Sequence, residues 1–308
     1  MMKNTVNKMA APAAPKLGRP RLLIVGCGDV GMRLLALLRE RFRVFAVTSQ
    51  PERCATLRAA GAVPVVADLD RPDSLRRLAG LAPLIVHLAP PQPDGTQDRR
   101  SRNLAAILPE HAQLVYISTS GVYGDCGGAQ FDETRSVNPQ NPRARRRVDA
   151  EQVLRDWARR NSRSGSRMCI LRVPGIYAAG RLPLERLRKG TPALTPQDDV
   201  HTNHIHADDL ARIIAAALFK ARPCRIYHAV DDSEMQMGAY FDAVADAFAL
   251  PRPPRLPRAE LQGQVSPQLL SFMAESRRLC NRRLKRELGI RLRYADVQSA
   301  LAEMTAHQ

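Results

Sequence analysis

From residue 21 onward the chain repeats one unit, a short apolar run followed by a polar or glycine-rich break and a stretch of helical period. The apolar runs fall at 22–26, 43–48, 63–67, 84–89, 114–118 and 168–173. Each is short and rich in Val, Ile and Leu, as strands buried on both faces are. Between the first two, Val30, Leu34, Leu37, Leu38 and Arg41 recur at spacings of three and four, which gives a helix one buried stripe. Parallel strands need crossover connections, and those are right-handed, so the pattern predicts an α/β fold built on a doubly wound parallel sheet over 21–173.

After Val173 the rhythm changes. Pro174, Gly175, Gly180, Pro183, Gly190, Pro192 and Pro196 mark loops around a short helix at 184–189. Helical patterns return at 207–220 and 238–248 with a strand at 225–230 between them, and four prolines in 251–257 impose an extended connection. The expected organisation is a disordered tail at 1–20, the sheet domain at 21–173 and a smaller, mainly helical substrate lobe at 174–308. Within that lobe, 204–230 is expected to contribute to the sheet domain.

Chemistry enters at Gly26-Cys27-Gly28-Asp29-Val30-Gly31, a G-x-G-x-x-G sequence placed between the first strand and the first helix. In that context Gly26 permits the tight turn, Gly28 lets the backbone approach a pyrophosphate and Gly31 lets helix and strand pack closely. The helix N-terminus, with Asp29 and Val30 in its first turn, faces the ligand's negative charge. This is the Rossmann arrangement, and a dinucleotide is the expected ligand. The second strand ends Ala46-Val47-Thr48-Ser49-Gln50 without a carboxylate to grip a ribose 2'-hydroxyl, and Arg53 follows. Hydroxyls at Thr48 and Ser49 with a guanidinium nearby suit a 2'-phosphate, hence NADP in preference to NAD. Arg53 equally suits a solvated helix face. Asp68, after the third strand, is placed either to bond an adenine amino group or to cap the helix beginning near Pro72.

The segment Tyr116-Ile117-Ser118-Thr119-Ser120-Gly121-Val122-Tyr123-Gly124 resembles the fifth-strand motif of the extended short-chain dehydrogenases and reductases, the NAD-dependent epimerase/dehydratase family. The resemblance continues through His87-Leu88-Ala89, Leu171-Arg172-Val173-Pro174-Gly175-Ile176-Tyr177, His204-Ile205-His206-Ala207-Asp208-Asp209-Leu210-Ala211 and Leu284-Lys285-Arg286-Glu287-Leu288-Gly289. It covers nearly everything from Arg21 on, in family order and spacing. The short glycine turn looks more like the atypical branch that includes small bacterial YeeZ-type proteins. The resemblance implies cofactor contacts from Leu88, Ala89 and Pro174. It also implies a catalytic hydroxyl at Thr119, with Ser118 beside it, and is compatible with a homodimer.

The family's other two catalytic groups, a tyrosine and a lysine four residues apart, are replaced. The family register puts Arg143 at the tyrosine position and Arg147 at the lysine position. An arginine stays protonated through the useful pH range, so Arg143 cannot act as a general base. Arg147 can still donate to ribose or phosphate, or it is one more solvated arginine. Tyr123 and Tyr177 are the substitute proton carriers that the sequence offers, and Tyr123 equally fits packing beneath its loop. Family members that act on nucleotide sugars commonly carry an arginine before the His-x-x-Asp segment, where this chain has Thr202, which favours a small carbonyl or hydroxyl substrate. Two readings remain, an oxidoreductase or epimerase and a cofactor-binding sensor that has lost its chemistry.

Charge decides less than its size suggests. The 308 residues carry 47 basic and 30 acidic side chains, a net charge of +17. Such a balance raises nucleic acid or a phosphorylated ligand as partners. Eight of the basic residues lie between Arg277 and Arg293 against Glu287 alone, yet aromatic content is only 5%, without the interleaved aromatics and cations that stack on bases. A solvated helix face is the better reading, with nucleic acid unlikely as a partner. His201, His204 and His206 match no standard zinc spacing, so no metal is expected. No apolar run approaches the roughly 20 residues of a membrane span. The six scattered cysteines fit reduced thiols in a cytoplasm.

Overall fold

The computed structural model describes residues 18–306. Seven strands form one parallel sheet: β1 (Arg21–Val25), β2 (Arg43–Thr48), β3 (Val63–Val66), β4 (Leu84–His87), β5 (Gln113–Thr119), β6 (Arg167–Val173) and β7 (Arg225–His228). Their spatial order is β3-β2-β1-β4-β5-β6-β7, with every neighbouring pair parallel. The chain first winds outward from β1 to β3, then returns beside β1 with β4 and winds the other way. The strand ends at that reversal leave a crevice, the usual ligand position in such sheets. Of the tail expected to be disordered, residues 1–17 lie outside the described part. Residues 19 and 20 are tied down: Arg19 Nη1 donates to Arg39 O, and Pro20 O accepts from Arg43 N at 2.9 Å.

Helices cover both faces. On one, α1 (Asp29–Leu38) packs beside Ala207–Lys220, burying Leu34, Leu35, Ile213, Ile214 and Leu218 against Leu22, Ile24 and Val86. On the other, Arg99–Ala105 and the long helix Pro142–Arg160 bury Leu104, Leu154 and Trp157 against Leu23, Val25 and Tyr116. A fully buried leucine contributes roughly 1.5–3 kcal/mol, so these stripes fix which way each helix faces. Segment 204–230 supplies a helix and the outermost strand of the sheet. A separate core in the smaller lobe gathers Leu187, Phe241, Val244, Leu261, Met273 and Leu301. The lobe is not wholly apart from the sheet: Leu284 and Leu288, on the helix Arg282–Leu288, are fully buried in the sheet's first core.

Candidate active site

The glycine turn does three different jobs. Gly26 has φ +86°, and a Cβ there would lie 2.6–2.9 Å from atoms of Ala89. Ala89 is drawn close because its amide and that of Leu88 both donate to Val25 O, at 3.1 and 2.8 Å. A Cβ on Gly31 would press on Cys27 Sγ and Leu88 Cδ1 at 3.2 Å, whereas one on Gly28 meets nothing within 4 Å. Gly28 is thus bare because the space outside it is open. Among the described residues, the amides of Asp29, Val30 and Gly31 have no acceptor. Orphan donors at a helix start facing open space fit a pyrophosphate. Asp29 would oppose such a ligand, but its two oxygens are held by Arg33 at 3.1 Å and Arg181 at 3.2 Å.

At the end of β2, Thr48 is buried and its hydroxyl accepts from Gln50 N at 3.1 Å, while Ser49 is exposed. Arg53 bends back to the turn, where Nη2 donates to Cys27 O at 2.8 Å. It is therefore held beside the glycine turn instead of trailing into solvent. Asp68 Oδ1 accepts from Asp70 N at 2.9 Å, and the Asp68 amide donates to Ser74 Oγ at 2.9 Å. It shapes this local turn, and Arg71 holds the position preceding the Pro72–Leu78 turn.

A cleft of about 630 Å³ opens between the strand ends and the smaller lobe. Thr119 lines it together with Pro174, Tyr177 and Arg147. Thr119 ends β5 and caps the following helical turn, its Oγ1 accepting from Gly121 N at 3.2 Å. Ser118 points the other way, as neighbours on a strand must. It is 3% exposed and donates to Glu151 Oε1 at 2.6 Å, and Glu151 in turn binds Arg172. Tyr123 is 1% exposed, with its hydroxyl 2.6 Å from His228 Nε2 and the Arg172 guanidinium 4.7 Å from its ring centre. Burial pushes its hydroxyl up to about 12. Neither Ser118 nor Tyr123 reaches the cleft, so the geometry withdraws the catalytic roles expected of them; both belong to a buried network behind Thr119.

The long helix Pro142–Arg160 starts at Asn141, whose side chain accepts from Ala144 N at 2.9 Å. Arg143, Arg146 and Arg147 then fall three and four apart and share the face that lines the cleft. Arg147 Nη1 donates to Ile117 O at 2.8 Å and Tyr116 Oη at 3.1 Å, clamping the end of β5. The buried Arg146 donates to Gly95 O, and the exposed Arg143 lies over the Phe272 ring at 4.5 Å. Arg277 adds a further guanidinium, bonded to Gly124 O at 2.6 Å and Glu275 at 2.7 Å. Sequence reasoning missed Phe272, Glu275 and Tyr240 as lining residues, and no local pattern marks them. Arg277 was visible only as the first member of a basic run.

Burial drives Tyr177 and Tyr240 above the normal phenol range and His204 down to about 4. None of the three changes charge near neutrality. His206 Nδ1 accepts from Asp208 N at 3.2 Å, capping the helix Ala207–Lys220, which is a structural duty. Among the described residues no three His, Cys, Asp or Glu side chains gather as metal ligands, and no helix is long and apolar enough to cross a membrane.

The model of the NAD dependent epimerase/dehydratase family matches residues 22–229. The chain belongs to that family. The matched residues run from the first sheet strand to just past the seventh. A solved structure of a functionally unknown conserved protein from Silicibacter pomeroyi is 28% identical, with TM-score 0.77, covering 94% of this chain and 99% of that one. MoeE5 in complex with UDP-glucose and NAD is 18% identical with TM-score 0.71, covering 93% and 97%. The human epimerase family protein SDR39U1 (isoform 2) with NADPH is 18% identical with TM-score 0.69, covering 94% and 100%. The last two show likeness of fold. A comparison with curated proteins returned no significant match.

Proposed function

We propose that this family member binds NADP in preference to NAD and works as an oxidoreductase or epimerase on a small carbonyl or hydroxyl compound. The observation that carries the reading is the open face of Gly28 beneath the unpaired amides of Asp29, Val30 and Gly31. The solved relatives with NAD and with NADPH support a nicotinamide dinucleotide at that position. For NADP in particular, support comes from Arg53, held over the turn, and from the lack of a carboxylate at the end of β2. Thr48, Ser49 and Asp68 would border the adenosine, and Leu88, Ala89, Arg147 and Pro174 would border the rest of the cofactor. When bound, the nicotinamide supplies or accepts a hydride. Thr119 would hold the substrate oxygen from the cleft floor. Calorimetric titration with both dinucleotides tests the reading: tighter NADP binding is expected, and no heat with either overturns it.

One observation favours a second reading, a dinucleotide-binding sensor without turnover. The family register puts Arg143 and Arg147 at the tyrosine and lysine positions, and burial moves Tyr177 and Tyr240 further above neutrality and His204 below it, to about 4. A catalyst would have to draw its proton through His201 or Glu275, the other proton-exchanging lining groups apart from the arginines. NADPH oxidation across a panel of carbonyl compounds separates the two; binding without oxidation supports the sensor.

A further inference from the structure

The cleft holds more positive charge than its own acids can neutralise. Five arginines line it, Arg143, Arg146, Arg147, Arg181 and Arg277, against the single carboxylate of Glu275. Arg181 is engaged by Asp29, and Glu275 is committed to Arg277 at 2.7 Å and Asn141 at 3.2 Å. Among the described residues, Arg143, Arg146 and Arg147 form no ion pair, and Arg143 makes no hydrogen bond either. Phe272 flanks the Arg143 guanidinium at 4.5 Å, which holds the planar group by its face and leaves its N–H edge without a protein partner among the described residues. Partial burial lowers the pKa of Arg143, Glu275 opposes the shift, and Arg147, Arg277 and Arg146 add smaller contributions in the lowering direction.

Guanidinium groups without acidic partners in a concave site give it a positive field that favours an anionic ligand. The dinucleotide's phosphates are not that ligand, because their expected seat is the glycine turn, whose residues are not among those lining the cleft. We propose that the arginine-rich cleft selects a substrate bearing a carboxylate or phosphate, gripped by the free fork of Arg143 with Arg277 beside it. Planar forks match both oxyanions bidentately, and the cationic residue that replaces a family tyrosine thereby becomes a specificity element. This rests on the reading of the cleft as a substrate site, but it does not depend on which dinucleotide binds or on turnover.

The test titrates the full-length protein with inorganic phosphate in one arm and malonate in the other, each with and without saturating NADP. R143Q, R143K and R277Q are compared with the wild type and with R76Q, a substitution on an exposed surface. One probe is expected to bind with an affinity that falls as salt rises, and R143Q weakens it about tenfold or more, the usual cost of a lost charge-assisted bond. R143K, which keeps the charge and loses the fork, falls between. Phosphate seated at the glycine turn would be displaced by NADP and would survive R143Q. The malonate and phosphate arms show which oxyanion is preferred. R277Q removes a bond to Gly124 O as well, so R143Q is the deciding variant, because the Arg143 side chain makes no hydrogen bond among the described residues. Binding of neither probe, or binding that R143Q leaves unchanged, overturns the proposal. Loss of NADP binding with probe binding intact overturns the cofactor assignment alone.

Discussion

Arg172 and Glu151 face each other as a two-bond pair, Nε to Oε1 at 3.0 Å and Nη2 to Oε2 at 2.7 Å, with side chains only 4% and 5% exposed. The pair joins the sixth strand to the long helix that carries the cleft arginines. Ser118 and Tyr123 are attached to it, so the residues behind Thr119 act as one support.

Removing one partner leaves the other charged and buried. E151A and R172M are each expected to destabilise the fold by about 3–5 kcal/mol, and R172M combined with E151L by less than either. Urea unfolding of the three variants checks the order; equal stability of E151A and the wild type would refute the account.

The glycine turn offers a separation of fold from binding. G26A must accommodate a positive φ and a Cβ within 3 Å of Ala89, and is expected to cost more than about 1 kcal/mol of stability. G28A meets no atom of the protein and should leave stability within about 0.5 kcal/mol of the wild type while weakening dinucleotide binding at least about tenfold. Thermal melts paired with calorimetry read both quantities.

Arg53 tests cofactor choice. R53E is expected to weaken NADP by about tenfold or more and NAD much less, because a 2'-phosphate needs the cation that a 2'-hydroxyl does not. Equal losses for the two dinucleotides would assign Arg53 to holding the turn through Cys27 O alone.

His228, buried against Tyr123 and Cys280 O, has its pKa pushed down by burial to about 3. Unfolding restores an ordinary imidazole near 6.5, so between those values the unfolded chain binds the extra proton. Stability therefore falls as pH drops below about 6.5. H228Q, which does not titrate, should show a slope shallower by up to about 1.4 kcal/mol per pH unit between pH 6 and 4. Asp231, raised by burial to about 7, works in the opposite direction but contributes equally to both proteins. Parallel urea midpoints across that range would show the slopes; identical slopes would remove His228 from the effect.

The sheet was legible because the buried strands write themselves as dense apolar runs, and the glycine turn because only particular residue types tolerate its geometry. Strand limits moved by a residue or two, as with β7, which ends at His228 where the apolar run continues to Val230. The cleft was half legible. The motif puts Thr119 at the hydroxyl position with Ser118 beside it, and the strand's alternation turns Thr119 to the cleft and Ser118 away from it. Tyr123 reads both as a proton carrier and as a ring packed beneath its loop, and its contact with Phe131, at 4.8 Å between ring centres, and its bond to His228 decide for the second. Phe272, Glu275 and Arg277 come from more than 110 residues beyond the helix they face. No periodicity connects them to Arg143, because their meeting is a property of tertiary closure.

The stretch that closes the cleft also returns to the sheet: Arg277 lines the cleft, Leu279 N bonds Asn203 Oδ1 at 2.8 Å, and Leu284 and Leu288 plug the sheet's first core. The two halves of this molecule are consequently not modules that can be cut apart and produced singly. A fragment ending before Leu269 would forfeit a wall of the cleft and expose greasy surface on its sheet half in the same stroke.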